Sequence, residues 1–265
     1  MPLNIRTYHE LTEPDRSGLA EQIGAQRRRV AARIAGVQRI VAVMSGKGGV
    51  GKSFVAAGLA RALARGGRSV GVLDADLNGP TVARLLGAGG RDGGLTLQQD
   101  AVLPAVGADG VIVVSMGQLL EDGHPLAFRG PEAESHVWRG ALEAAALREF
   151  LADVAWGTLH LLLVDLPPGI QRFQDLTDVL PAPPAVLTVT IPTRESADAV
   201  RRAMRFAVQR GAPLLGVVEN MAGGAFSGTA GDDLAREFDV PLLARIPWHP
   251  TADTWDAIAL KVGAS

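Results

Sequence analysis

One segment of the chain has the residue types and the spacing of a phosphate-binding loop: residues 46–53 read GKGGVGKS and match G-x-x-x-x-G-K-S/T. Its glycines allow successive backbone N–H groups to face one anion at a helix N-terminus, where the helix dipole favours negative charge. Lys52 would contact the β- and γ-phosphates, and the Ser53 hydroxyl would ligate Mg²⁺. The sequence therefore predicts a site for a nucleoside triphosphate. Its predicted contacts in this loop are Gly46, Lys47, Gly48, Gly49, Val50, Gly51, Lys52, Ser53 and Phe54.

Carboxylates that could serve such a site follow two apolar runs. Asp165 ends the run 161–164, and Asp74 and Asp76 end an earlier one. Mg²⁺ takes oxygen ligands, usually one or two carboxylates together with phosphates and water. Asp165 stands where the Walker B aspartate is expected, and one of Asp74 and Asp76 could orient the attacking water. Each of the three could instead be a helix N-cap or a turn residue.

Strands and helices that would position these side chains alternate from residue 39 onward. Several apolar runs show no polar alternation, as expected for strands buried on both faces of a parallel sheet. The predicted strands are 40–44, 70–73, 111–115, 161–164, 185–191, 214–218 and 242–246, and the predicted helices are 54–65, 141–152, 196–209 and 231–238. The pattern indicates an α/β fold with a doubly wound, mostly parallel sheet, in which ligands lie beyond the carboxyl ends of the strands. The glycine-rich stretches 87–94 and 223–231 are expected to be loops.

The first 38 residues have a different pattern. Their apolar residues recur at helical spacing: Leu19, Ile23, Val30, Ile34 and Val37. We therefore predict an N-terminal helical extension at 1–38 and a single P-loop domain at 39–265. Four arginines fall mostly off the apolar stripe: Arg27, Arg28, Arg29 and Arg33. They form either a solvated face or a surface for an acidic partner, nucleic acid or anionic lipid.

Composition excludes several classes of site. The chain of 265 residues contains no cysteine, which excludes disulfides, thiolate zinc sites, cysteine nucleophiles and self-ligated iron–sulfur clusters. Lys plus Arg is 26 against 28 for Asp plus Glu, a net charge of −2 that argues against a generally basic, nucleic-acid-coating protein. No apolar run reaches the roughly 18 residues that cross a bilayer. We expect a cytoplasmic protein, with neither nucleic acid nor membrane as its partner.

The chain resembles the Mrp/ApbC-type ATPases of the MinD/ParA superfamily over most of its length. The resemblance is carried by GKGGVGKS with its second lysine, by DADLNGP at 74–80, FRGP at 128–131, LLLVDLPPG at 161–169 and VENM at 218–221. The second lysine is the mark of the deviant Walker A motif of this superfamily. The resemblance implies a homodimer that forms on ATP binding, hydrolyses ATP with Mg²⁺ and takes part in iron–sulfur cluster assembly or carriage.

The resemblance also implies roles for individual residues. Lys47 would reach the phosphates of the other subunit, and Asp76 would orient the attacking water with a partly water-mediated contact to Mg²⁺. Asp165 would contact Mg²⁺ through water. Asn220 would face adenine, and Pro247 would line the adenine pocket. Without the resemblance, Lys47 could be a solvated loop residue and Asn220 a turn residue.

The chain departs from the family pattern at two places. Family members that carry a cluster have a CxxC pair soon after the ENM string, where this chain has residues 222–228, AGGAFSG. After Gly169 the chain has IQRF instead of the usual short Thr-Gly-Asp segment. We therefore expect a nucleotide-switched maturation factor that acts on a protein client or metalloprotein target without holding a cluster itself. A variant of this hypothesis places the cluster on a cysteine-bearing paralogue in a heterodimer.

The alternative hypothesis is a positioning or partition ATPase like MinD or ParA. A membrane-binding form needs a basic amphipathic segment, but the segment 255–265 contains a single basic residue, Lys261. A DNA-binding form needs a surface arginine cluster, for which Arg201, Arg202 and Arg205 are candidates together with the N-terminal arginines. A metal-inserting factor is a third hypothesis, and the five scattered histidines do not favour it.

Overall fold

The structure is a computed structural model, and it describes residues 19–76, 79–88, 94–98, 101–118, 135–224, 226 and 228–264. Parts of the sequence predictions lie outside these residues: the first 18 residues of the N-terminal extension, the FRGP string at 128–131, and most of the glycine-rich stretch 87–94.

Ten strands and eight α-helices occur in the described residues. The strands are β1 (Val37–Ser45), β2 (Val70–Asp74), β3 (Thr96–Gln98), β4 (Ala101–Leu103), β5 (Ala105–Val106), β6 (Ile112–Ser115), β7 (Leu159–Asp165), β8 (Ala185–Thr190), β9 (Leu214–Ala222) and β10 (Leu242–Pro247). The helices are α1 (Leu19–Arg33), α2 (Lys52–Arg65), α3 (Val82–Leu85), α4 (Ser135–Asp153), α5 (Gln171–Val179), α6 (Arg194–Gln209), α7 (Ala230–Glu237) and α8 (Ala252–Ala264).

Eight of the strands form one sheet in the order β10-β9-β8-β1-β7-β2-β6-β5. All neighbouring strands in this sheet pair in parallel, except that β5 runs antiparallel to β6 at the edge. β3 and β4 form a separate antiparallel pair. The arrangement confirms the predicted doubly wound, mostly parallel α/β fold, and it places the loop after β1 at the carboxyl edge of the sheet, beside the ends of β7 and β8.

The central strand β1 shows why the strand sequences lack polar alternation. Val41 and Val43 pack into the apolar cluster on one face of the sheet, with α2 and α8. Ala42 and Met44 pack into the cluster on the other face, with α4 and α5. All four side chains are buried, so both sets of alternate positions need apolar residues.

The N-terminal helix α1 packs on the domain. Its Val30 and Ile34 are buried in the same apolar cluster as α4 and α5. Arg29 forms an ion pair with Asp153 at the end of α4, and Arg27 Nε donates a hydrogen bond to the backbone oxygen of Asp178 on α5 at 2.7 Å. Two of the arginines that lie off the apolar stripe therefore tie α1 to the neighbouring helices.

All seven predicted strands and all four predicted helices occur, most of them a few residues longer than predicted. β1 already begins at Val37, and α7 begins at Ala230, inside the stretch 223–231 that was expected to be a loop. The sequence patterns did not indicate α3, α5, α8 or the short strands β3, β4 and β5. These strands are two or three residues long, too short for a period of two to be distinguished.

Candidate functional site

The phosphate-binding loop joins β1 to α2 with a backbone that requires glycine. Gly49 and Gly51 have φ angles of 77° and 79°, in the left-handed region that residues with a Cβ rarely adopt. Gly51 is the N-cap of α2, and no side chain caps the helix there. The N-terminal N–H groups of α2 therefore have no side-chain acceptor at the N-cap, as a phosphate site requires.

The first glycine of the loop, Gly46, is required by close packing and not by its φ angle. A Cβ built on Gly46 would lie 2.2 Å from the backbone carbon of Ala199 and 2.3 Å from the backbone nitrogen of Val200, both on α6. The backbone of α6 therefore packs directly on the start of the loop, and only glycine allows this distance.

Lys52, at the start of α2, forms an ion pair with Asp165 at the end of β7. Both side chains are buried, with residue exposures of 6% for Lys52 and 0% for Asp165. Burial raises the pKa of the Asp165 carboxyl above its ordinary value, although the Lys52 ammonium and the Ser53 hydroxyl act in the opposite direction. The structure thus brings Lys52, Ser53 and Asp165 together at the base of the loop. Their contacts with phosphate and Mg²⁺ remain predictions.

One oxygen of the Asp165 carboxylate is not used by the described residues. Its Oδ2 is buried and has no hydrogen-bond partner among the described residues. Leaving such an acceptor unsatisfied is costly, so this oxygen is available for an outside donor such as a metal-bound water. The set of a carboxylate, the Ser53 hydroxyl and incoming phosphate oxygens fits Mg²⁺, which prefers oxygen ligands.

The structure distinguishes the two aspartates at the end of β2, Asp74 and Asp76. Asp74 is buried, and its carboxylate accepts hydrogen bonds from three backbone N–H groups and from the Ser115 hydroxyl. Burial and the nearby Asp165 charge raise the pKa of Asp74 to about 7. Asp76 is half-buried, and its charge contributes to the raised pKa of Asp165, which places it near the same centre. Asp76 therefore suits the water-orienting role better than Asp74.

Lys47 is half-buried, and its backbone oxygen accepts a hydrogen bond from the Ser45 hydroxyl at 3.0 Å. No carboxylate of the described residues forms an ion pair with its ammonium group. This contrasts with Lys52, and it leaves the Lys47 charge available to a group outside this chain. Its contact with a second subunit remains a prediction.

Asn220 lies in β9, so it is not a turn residue. Its side chain is buried, and Nδ2 donates a hydrogen bond to the backbone oxygen of Val50 at 2.9 Å. Asn220 thus supports the phosphate-binding loop, a contact that sequence reasoning missed because the two residues are 170 positions apart. Pro247 is exposed at the end of β10 and pairs in register with Ala222 of β9. The contacts of Asn220 and Pro247 with adenine remain predictions.

An aromatic contact beside the loop was also missed. Phe54 is 41% exposed, and its ring meets that of Trp255 on α8 edge to face, with ring centroids 5.3 Å apart. A Cβ on Gly58 of α2 would lie 2.6 Å from the Trp255 ring, so this glycine makes room for the indole. The glycine inside the predicted helix 54–65 was the sequence signal that could have revealed this contact. Glycine destabilises a helix interior, so its presence there indicates close packing.

Two of the three arginines of α6 that were candidates for DNA binding, Arg201 and Arg205, form ion pairs within the protein, whereas Arg202 is exposed. Arg201 pairs with Asp198 and Glu237, and Arg205 also pairs with Glu237, across the contact of α6 and α7. These pairs reduce the positive charge that a DNA backbone would meet. In the described part of the chain no three His, Asp or Glu side chains cluster as metal ligands. No helix there combines the length and apolar composition needed to cross a membrane.

Comparison with known proteins agrees with the presence of a phosphate-binding loop. The family model described as ParA: NUBPL iron-transfer P-loop NTPase matches residues 36–257. The chain is 36% identical over 243 residues to an iron-sulfur cluster carrier protein of Saccharolobus solfataricus, covering 87% of this chain and 78% of that protein. It is 39% identical over 233 residues to the cytosolic Fe-S cluster assembly factor NUBP2 of Homo sapiens, covering 82% of each.

Solved structures share the fold. A nucleotide-binding protein from Archaeoglobus fulgidus, in complex with ADP, superposes with a TM-score of 0.69 at 31% identity, covering 89% of this chain and 92% of that one. The cell division ATPase MinD of Pyrococcus furiosus superposes with a TM-score of 0.58 at 21% identity, covering 86% of this chain and 99% of that one. The second likeness concerns the fold alone.

Proposed function

Because the chain belongs to the NUBPL iron-transfer P-loop NTPase family of the ParA group, we propose that it is an ATPase whose nucleotide state controls its action in the maturation of iron–sulfur proteins. The family confirms the resemblance drawn from the sequence motifs. The observation that carries the proposal is the buried Lys52–Asp165 pair beside Ser53 at the base of an uncapped glycine loop. Relatives named as an iron–sulfur cluster carrier and as cluster assembly factors support the role in maturation.

ATP binding would use the loop in a defined way. Lys52 would exchange Asp165 for the β- and γ-phosphates, and the N–H groups at the start of α2 would donate to phosphate oxygens. Ser53 would ligate Mg²⁺, and Asp165 would hold it through water at the unpartnered Oδ2. Mg²⁺ supplies positive charge to the phosphates during hydrolysis. Asp76 would orient the attacking water.

The proposal includes a homodimer that forms on ATP binding in the cytoplasm. In that dimer Lys47 would contact the phosphates held by the partner subunit, as arginine fingers do in other nucleotide hydrolases. The absence of an internal carboxylate partner for Lys47 among the described residues supports this role. Together, Lys47 and Lys52 would stabilise the charge that develops on the γ-phosphate.

The proposed role does not include a cluster held by this chain's own thiolates, because the sequence contains no cysteine. We propose that the nucleotide state instead governs contact with a protein client or metalloprotein target. Anaerobic reconstitution with iron and sulfide gives a direct check: no stoichiometric cluster is expected on the homodimer, and a stable one would contradict this part of the proposal.

The role in maturation is tested by capture of the partner. Asp76→Ala should bind ATP and hold it, whereas Lys52→Ala should not bind it, so the two variants give a matched pair of baits. We expect iron–sulfur proteins or their assembly components with Asp76→Ala in MgATP and not with Lys52→Ala. Identical partners on both baits, or partners without any relation to iron–sulfur proteins, would contradict the proposed role.

A further inference from the structure

Asp74 joins three separate parts of the chain through one buried carboxylate. It is the last residue of β2 and is 1% exposed. Its Oδ1 accepts the N–H of Asp76 at 3.2 Å. Its Oδ2 accepts the N–H groups of Thr81 and Val82 at 3.0 and 3.1 Å, and the hydroxyl of Ser115 at 3.0 Å. The carboxylate thus connects the backbone of Asp76 to the start of α3 and to the end of β6.

The surroundings of this carboxylate are themselves held in place. The Ser115 hydroxyl oxygen accepts the N–H of Gly117 at 3.2 Å, and the Ser115 N–H donates to Oε1 of Gln118 at 2.8 Å. Nε2 of Gln118 donates to the backbone oxygen of Ala88, three residues after α3, at 2.9 Å. The network therefore holds both the start of α3 and the segment that follows it, which favours one fixed arrangement.

Asp76 differs from Asp74 in what its side chain does. Asp76 is half-buried, and its carboxylate makes no hydrogen bond to another described residue, so it is available to the nucleotide site. Its backbone, by contrast, is held by Asp74. None of the four hydrogen bonds that Asp74 accepts from described residues comes from the loop 46–53. The hydrogen bonds of Asp74 therefore act on the position of Asp76, whereas its influence on the phosphate-binding loop runs through the charge of Asp165, the ion-pair partner of Lys52.

We propose that Asp74 is a positioning residue for ATP hydrolysis: it holds Asp76 where that side chain orients the attacking water. The inference rests on the proposed ATPase function and on the water-orienting role of Asp76. A small misplacement of a catalytic group, of about 1 Å, can reduce the rate about 10²-fold. Loss of this support should thus reduce kcat and leave nucleotide affinity nearly unchanged.

Asp74→Asn is the informative substitution because it keeps the shape of the side chain. Its NH₂ group must face either the N–H of Asp76 or the donors of Thr81, Val82 and Ser115, so at least one hydrogen bond is lost. We expect kcat to fall about 10²-fold, with KM for ATP and Kd for a non-hydrolysable analogue within about threefold of the parent. Asp256→Asn, on the exposed face of α8, is the matched control and should keep the parent kcat.

Ser115→Ala provides a second, milder variant. It removes one of the four hydrogen bonds and keeps the three from backbone N–H groups. A hydrogen bond of ordinary strength corresponds to a decrease of about two- to tenfold in kcat. This variant keeps the inference testable if Asp74→Asn does not fold.

A double-mutant cycle with Asp76→Asn separates positioning from general destabilisation. If Asp74 acts through Asp76, the double variant should turn over ATP no more slowly than Asp76→Asn alone. The cycle of Ser115→Ala with Asp76→Asn should show the same non-additivity. Additive losses in kcat, or a large loss of nucleotide affinity in Asp74→Asn, would overturn the inference. A parent protein without ATP turnover would contradict the proposed function as well, whereas additive losses in an active parent contradict the inference alone.

Discussion

Replacing Asp165 with asparagine leaves the Lys52 ammonium buried without its counter-charge. Lys52 is 6% exposed and Asp165 is fully buried, so water cannot take the place of the carboxylate. Breaking a buried ion pair by removing one partner typically costs about 3 to 5 kcal/mol. We expect the nucleotide-free Asp165→Asn protein to lose free energy of unfolding in this range.

Nucleotide should reverse part of this loss because its phosphates provide a new counter-charge for Lys52. In the parent protein without Mg²⁺, Lys52 leaves Asp165 when it binds the phosphates, and the Asp165 carboxylate is then buried and unpaired. The variant has only a neutral amide at this position. ADP should therefore stabilise the variant more than the parent in EDTA. A coupling of about 1 to 3 kcal/mol corresponds to ADP binding about 5- to 150-fold tighter in the variant under these conditions.

Urea denaturation with and without ADP, each in EDTA and in Mg²⁺, measures the stability differences, and calorimetric titration measures the ADP affinity. The exposed pair of Asp256 with Arg65 gives a control, since Asp256→Asn should change stability by less than about 1 kcal/mol and leave ADP affinity unchanged. An equal loss of stability with and without ADP, or weaker ADP binding by Asp165→Asn in EDTA, would refute the reasoning.

Three further predictions concern other parts of the molecule. Lys47→Ala should bind ATP with affinity near that of the parent but lose ATP-dependent dimerisation and about 10³-fold or more in turnover, measured by light scattering and phosphate release; turnover at the parent rate would disprove the trans role. Gly46→Ala should lose about 1 to 3 kcal/mol or more in urea denaturation because its Cβ meets the backbone of α6, and a loss no greater than that of a typical exposed substitution would contradict the packing. Glu237→Gln should cost less than about 1 kcal/mol at neutral pH. Because hydrogen bonds from Arg201 lower the pKa of Glu237, this difference should disappear as the pH falls through that pKa, and a difference that grows in acid would show the sign to be wrong.

The sequence was sufficient for seven of the eight strands of the main sheet and for the phosphate-binding motif. Apolar runs without alternation identify strands buried on both faces, and the loop motif is contiguous, so its residues need no tertiary information to be recognised. The position of Asp165 near the loop was also predictable, since Asp165 ends an apolar run and the loop begins where β1 ends, at the same edge of the sheet. These are features in which local pattern and tertiary position agree.

Without the family resemblance, the roles of Asp74 and Asp76 could not be separated from the sequence. Alternation assigns sides only within a strand, and β2 ends at Asp74, so the direction of each side chain depends on the following turn. The hydrogen bond from Asn220 to Val50 and the pairing of Arg201 with Glu237 depend on contacts between distant segments. Charge counts alone left those arginines as candidates for DNA binding, and only the packing of α6 on α7 showed how they are used.

The indole of Trp255 gives the molecule a built-in optical reporter. It lies against Gly58 and 5.3 Å from the ring of Phe54, whose neighbour in the chain is the hydroxyl residue of the phosphate-binding loop. We expect a ligand that reorders the first turn of α2 to change the polarity around this chromophore. The chain contains four tryptophans, so a variant that keeps Trp255 alone would report occupancy by its emission. The contact between Trp255 and Phe54 also links α8 to the first turn of α2. Removing α8 would therefore expose more of the Phe54 ring.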